Sequence, residues 1–265
     1  MSTLSLLQEF EKLSKDPSIS RPLPSSLVPV VAVQQRQTWD CGLACAAMVL
    51  SLFYRPSPSL ESLEAMVGTQ SVWTIDLAYL LRRCFHVKNQ LNKNFHFSLL
   101  LTTTYLGLNP AYKEEKFYAK HMDKDHSRVN SLFKQAESDQ IAVLKRSISA
   151  LELKWTISIG RFLVVVLVDK GKLGIPNGKC SGSSSIRSDT IEESVGYIGH
   201  FILVHGYDST TDCYFIKDPA VLDIAASEQQ QMVSAGQLEV ARLAHGTDED
   251  MLFIELPSKF TVRHS

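Results

Sequence analysis

Cys41 stands where a loop turns into an apolar helix, in the run Gln35-Arg36-Gln37-Thr38-Trp39-Asp40-Cys41-Gly42. A thiol at a helix start meets unpaired backbone N–H groups and the positive end of the helix dipole, and both favour the nucleophilic thiolate. Gln35, six residues upstream, offers a side-chain amide. With the Cys41 backbone N–H it would form a two-donor pocket for the oxyanion that appears when sulfur attacks a carbonyl. Far along the chain, His200 and Asp218 lie eighteen residues apart, on either side of the turn-rich stretch Asp208 to Asp212. A hairpin turning near Ser209 sets these two side chains opposite or diagonal to each other. An imidazole held by a carboxylate takes the thiol proton and returns it to a leaving group. Cys41, His200 and Asp218 therefore read as nucleophile, base and orienting group. Each also has a plain structural reading: a buried core thiol, a satisfied strand histidine, and a turn made by Asp218-Pro219.

The elements that must position this set can be read around it. Cys41 to Tyr54 is rich in Ala, Leu and Met, has no internal proline and stops before Pro56, which predicts a helix. Gly199 to Tyr207 and Cys213 to Asp218 predict the two strands of the hairpin, with Pro219 ending the second so that the carboxylate stays at the sheet rim. Further helices are predicted from Ser59 to Met66, Thr74 to Arg83, Lys113 to His121, His126 to Ser138, Ser149 to Ser158 and Gln230 to Leu243. Strands are predicted at Val30 to Val33, Ile141 to Leu144, Phe162 to Val168 and Met251 to Leu256, with strand and loop mixed in Val87 to Thr104. Helices early and strands late, without regular alternation, predict an α+β fold rather than a doubly wound sheet.

Leu4, Leu7, Phe10 and Leu13 mark a short amphipathic helix, and four prolines fall between Asp16 and Pro29. Residues 1–27 therefore read as an arm and linker, 28–256 as one domain and 257–265 as a tail. Lys170 to Ser194, rich in Gly, Ser, Lys and Asp, reads as a long surface loop.

Composition narrows the class. The 265 residues are 45% hydrophobic and 21% charged, enough for one substantial core, and the net charge of -1 gives a nucleic-acid backbone no electrostatic purchase. The most apolar run, Phe162 to Val168, is seven residues, far short of the ~20 that span a bilayer. The first residues do not form a signal peptide. Five cysteines in a chain of this length do not form a secreted disulfide framework, which points to cytosol or nucleus. No pairing suggests itself for Cys84, Cys180 and Cys213. Cys41 and Cys45 with His200 and His205 would imitate a zinc site, against which Cys45 reads more simply as a small core residue.

These elements resemble a known pattern. Gln35, Asp40-Cys41-Gly42, Gly199-His200 and Asp218-Pro219 resemble the papain-like cysteine peptidase fold, in particular the bacteriocin-processing double-glycine peptidases. The resemblance implies a Cys-bearing helix packed on an antiparallel sheet that carries His and Asp. A closer resemblance is to the guanylyl cyclase family of plants and animals. It is carried by Thr38 to Cys45, Ser71-Val72-Trp73-Thr74-Ile75-Asp76-Leu77-Ala78-Tyr79-Leu80-Leu81, Arg128-Val129-Asn130, Gly199-His200-Phe201-Ile202 and Gly246-Thr247-Asp248-Glu249-Asp250.

That family implies a different reaction, the magnesium-dependent formation of cyclic GMP from GTP, with Trp73 to Asp76 and Arg83 resembling a degenerate cyclase-centre pattern. Cyclisation needs carboxylates for metal, and Asp76, Asp248, Glu249 and Asp250 are the candidates. The cluster Asp248 to Asp250 reads more simply as a solvated turn before the last strand, and no Gly-rich phosphate loop is present. Three functions stand at this stage. A thiol-dependent hydrolase or acyl transferase would act on a peptide or protein substrate without a cofactor; a guanylyl cyclase would take GTP with Mg2+; a non-catalytic module would only bind a partner.

Overall fold

A computed structural model describes residues 7–8, 10, 23–91, 97–113, 115–119, 122–174, 196–221 and 230–257. Its strands and helices follow in the order β1 (Ser26–Leu27), α1 (Cys41–Ser51), α2 (Leu60–Val67), α3 (Thr74–Leu91), β2 (Leu99–Thr103), α4 (Lys116–Ala119), α5 (Met122–Gln135) and β3 (Ala142–Lys145). They continue with α6 (Ala150–Ser158), β4 (Phe162–Asp169), α7 (Lys170–Leu173), β5 (Gly199–Asp208), β6 (Cys213–Lys217), β7 (Gln231–Ser234), α8 (Ala235–Arg242) and β8 (Met251–Glu255). Among the described residues one sheet runs in the order β3-β2-β8-β4-β5-β6-β7, with β1 added along β5. Only β2 and β3 pair in parallel; the other ladders are antiparallel.

The sheet divides two cores. On β4, Leu163, Val165 and Leu167 face α1, α2 and α3, while Phe162, Val164, Val166 and Val168 face α6 and α8. All eight β4 residues are buried, as expected for a strand covered on both faces, and this is why Phe162–Val168 reads as an unbroken apolar run instead of an alternating one. The arm contributes to the second core: Phe10 is 1% exposed and packs edge-on against Phe253. Most of the N-terminal helix, the loop from 175 to 195 and the tail from 258 lie outside the described residues.

Several boundaries differ from expectation for local reasons. The Val30 to Val33 strand does not form; the pairing goes to Ser26–Leu27, opposite Tyr207 and Gly206. α3 continues past Arg83 to Leu91, since Cys84 and Phe85 still have a core to enter and no Gly or Pro interrupts them. The late helix begins at Ala235, because Gln231–Ser234 alternates in burial and pairs with β6 before Ser234 caps the helix by accepting from the Gln237 N–H. Lys170–Leu173 forms a short helix capped by Asp169, where a loop is expected. Among the described residues no helix is long and apolar enough to cross a membrane. Cys41, Cys45 and Cys84 are buried free thiols, whereas Cys213 is disulfide-bonded.

Candidate active site

The loop before α1 is held by its own carboxylate. Asp40, fully buried, does not cap the helix with its side chain; it accepts the Arg36 and Gln37 backbone N–H groups at 3.2 and 2.9 Å. Arg36 then bonds Glu61 and Glu64 of α2, fixing the loop from outside. The helix that follows lies close against β5 and α3. A Cβ on Gly42 would sit 3.0 Å from both Phe201 Cδ2 and Leu77 Cδ1, so any larger residue beside Cys41 would push the thiol away from β5.

The close approach brings sulfur onto the strand. Cys41 Sγ accepts the Phe201 backbone N–H at 3.5 Å, and the thiol is 5% exposed. His200 Nε2 meets Asp218 Oδ1 at 2.7 Å, which leaves Nδ1 as the ring's second polar atom. Burial favours a neutral imidazole, but the Asp218 hydrogen bond and the Cys41 thiol outweigh it and raise the ring's pKa to about 9. Burial likewise pushes the Asp218 carboxyl upward, and the bond and charge of His200 outweigh that and hold it below its ordinary value. The orienting residue is itself fixed: Asp218 Oδ1 also accepts the Ala220 N–H at 2.8 Å, and its backbone N–H donates to Gln231 Oε1 at 2.9 Å. Cys41, His200 and Asp218 are thus brought together.

Gln35 is placed less directly. Its backbone N–H donates to the Pro219 carbonyl at 2.9 Å, tying the thiol loop to the Asp218 turn. Its side-chain Nε2 donates to Gln37 O at 2.6 Å, and its Oε1 is buried without a partner. The amide is therefore beside the site but engaged along its own loop.

Cys45 and His205 behave as core residues. Burial, then the charges of Cys41 and Asp218, push the Cys45 thiol well above its ordinary range. His205 bonds the Val28 carbonyl through Nδ1 at 2.7 Å, and burial lowers its pKa to about 4, leaving a neutral ring that anchors the entering chain. No group of three or more His, Cys, Asp or Glu residues among the described residues is arranged to hold a metal ion, so the zinc arrangement does not form.

The four carboxylates considered for Mg2+ are likewise dispersed into other work. Asp76, buried, accepts the Trp73 N–H at 2.9 Å and pairs with Arg128, which also reaches Asp125 at 3.3 Å. Asp248 accepts from Asn109 Nδ2 at 2.7 Å and from the Tyr112 hydroxyl at 2.8 Å. Glu249 accepts from the Ser147 hydroxyl and faces Arg242 at 3.9 Å. Asp250 is different: its Oδ1 is buried with no partner, and burial raises its pKa to about 7. With Thr74 beside it, it lines a chamber of about 20 Å3, the size of one water. The donor set does not fit a divalent ion.

A pocket of about 420 Å3 opens in front of Cys41. One wall is a stack of rings: Trp73 lies on Tyr118 at 5.0 Å, and Tyr118 on Tyr112 and Tyr197 at 5.8 and 5.5 Å. The Tyr118 hydroxyl donates to the Gly246 carbonyl at 2.6 Å. Gly246 has φ +100°, and a Cβ there would lie 2.7 Å from the Tyr197 ring, so only glycine suits this seat. The Gly246 to Asp250 segment thus supports the pocket wall instead of turning out to solvent. Sequence reasoning missed Tyr118 and Tyr197, since single tyrosines carry no spacing signal. Gly246 beside a run of acids was the available clue.

This mixed α/β chain belongs to the guanylylate cyclase family, whose model matches residues 30–254, nearly the whole sheet and its helices. Among its relatives, Guanylyl cyclase 1 of Arabidopsis thaliana is 36% identical over 235 residues, covering 88% of this chain and 78% of that protein.

Proposed function

We propose that the site performs thiol-dependent hydrolysis or acyl transfer on peptide or amide bonds, within a papain-like arrangement of helix and sheet. The observation that carries this reading is the His200 imidazole, bonded to Asp218 at 2.7 Å and raised in pKa by the Cys41 thiol as well as by that carboxylate. A ring that holds its proton through neutral pH provides the counter-charge for a thiolate. The thiolate attacks the carbonyl carbon; the imidazolium then gives its proton to the departing amine, and water, deprotonated by the same ring, releases the acyl group. The Cys41 N–H, with Gln35 Nε2 after rotation away from Gln37, supplies the oxyanion donors. Labelling by iodoacetamide, lost in Cys41→Ala and reduced in His200→Ala, tests it; an inert Cys41 overturns it. The free thiols of Cys41, Cys45 and Cys84 support a reducing compartment, cytosol or nucleus, and the disulfide at Cys213 weighs against it.

The second reading is a guanylyl cyclase, supported by family membership and by the name of the plant relative. These comparisons favour cyclisation, while the geometry around Cys41 favours acyl chemistry. When bound, Mg2+ would neutralise triphosphate charge, but Asp76, Asp248, Glu249 and Asp250 do not form its ligand set, so no step is assigned to them. Purified protein with GTP and Mg2+ tests the reading directly. Release of cyclic GMP that persists in Cys41→Ala would replace the hydrolase reading. Activity in neither assay, with a partner that co-purifies stably, would leave a binding module on the same fold.

A further inference from the structure

The pocket ahead of Cys41 has a one-sided chemistry. Its apolar lining comes from Trp39, Val72, Trp73, Leu167, Ile198 and Phe201, and among the described residues Lys116 is its single charged side chain and no acid lines it. The wall is prebuilt, because Trp73 already stacks on Tyr118 at 5.0 Å and its indole Nε1 donates to Asp125 at 3.0 Å. A ligand therefore enters a fixed surface and does not have to order one. A volume of about 420 Å3 lies within the range of pockets that enclose small organic groups.

We propose that this pocket takes an apolar side chain of aromatic size, next to the carbonyl that Cys41 attacks, in an acyl group that is neutral or anionic, and that Lys116 at its rim turns cationic groups away. A cation entering would shed water against aromatic and aliphatic walls with no carboxylate to receive it, and would meet a like charge. A ring entering removes apolar surface from water on both sides. The placement beside the carbonyl rests on the thiol reading; the pocket's preference is a binding property independent of it.

The test is a titration of the full chain with N-acetyl-phenylalanine amide, N-acetyl-lysine amide and N-acetyl-glutamate amide, followed by the fluorescence of Trp39 and Trp73. The phenylalanine compound is expected to bind at least about tenfold more tightly than the lysine compound, the ratio that burial of one ring supports. Lys116→Glu is expected to reverse the order of the glutamate and lysine compounds. Equal affinities, or lysine ahead of phenylalanine, overturn the proposal. Alkylation of Cys41 on the same sample separates the two ideas. A reactive thiol without ring selectivity sinks the pocket assignment alone, and ring selectivity beside an inert thiol sinks the hydrolase alone.

Discussion

The charge on His200 is the property most worth measuring, because the proposed role of Cys41 depends on it. The ring is 3% exposed, and its ordinary pKa of 6.5 is raised to about 9, a difference worth roughly 3 kcal/mol of preference for the protonated form. Linkage fixes the sign. A group whose folded pKa is raised stabilises the fold fully below its unfolded pKa, here about pH 6.5, and loses that contribution as pH climbs through 9. Asp218→Asn keeps an oxygen for Nε2 but removes the charge. The Cys41 thiol then opposes burial alone, and the pKa of His200 should fall from about 9 toward its ordinary 6.5.

Two assays read this. Ring-proton NMR across pH, with the His200 signal assigned by its loss in His200→Gln, gives the titration directly. Denaturant unfolding at pH 6 and pH 10 should show roughly 3 kcal/mol of stability disappearing in the wild type and far less in Asp218→Asn. A wild-type ring that titrates near 6.5, or one whose pKa is the same in both proteins, would refute the account of the pair and with it the resting imidazolium.

Other substitutions examine the walls. Gly246→Ala should cost about 2 kcal/mol or more, seen as a lower unfolding midpoint, since its Cβ would meet the Tyr197 ring at 2.7 Å on a backbone with φ +100°. Asp250, with its pKa raised to about 7, penalises folding as pH rises from 4 to 7. Asp250→Asn should therefore gain on the wild type by a few kcal/mol in denaturant stability at pH 8, and much less at pH 4. Asp76→Ala leaves Arg128 with Asp125 as its remaining carboxylate and frees the Trp73 N–H, and should lose about 1 kcal/mol in thermal or denaturant unfolding, with Mg2+ having no effect on the midpoint of either protein. Gly42→Val should slow iodoacetamide labelling at least tenfold by lifting Cys41 off the Phe201 N–H, which lies at 3.5 Å.

The meeting of Cys41, His200 and Asp218 was legible because each sits at a boundary that sequence marks well. Cys41 begins an Ala-rich run, Pro219 ends a strand, and His200 opens the apolar stretch that pairs with β4. The α+β class followed from the same punctuation. What stayed hidden is non-local. Nothing about Ser26–Leu27 shows that it will outcompete Val30 to Val33 for the edge of β5, because the choice is made by Tyr207 and Gly206. The acids Asp248 to Asp250 look solvent-facing from composition, but Asn109, Tyr112, Ser147 and Arg242 draw two of them into contacts, and Asp250 keeps one carboxylate oxygen buried. Gln35 was placed near the right neighbours, while its rotamer is decided by Gln37.

The place of β8 has a consequence for how the protein comes into being. β8 pairs with β2 on one side and β4 on the other, so the last of the described strands is an interior strand of the sheet. While a nascent chain is still short of Met251, β4 and β2 have no common neighbour, and β4 shows the ribosome and its surroundings a bare edge of Leu and Val. Domains dominated by such distant pairings close late. The surroundings of Cys41, resting on β5 beside β4, are therefore completed only once β8 has joined the sheet.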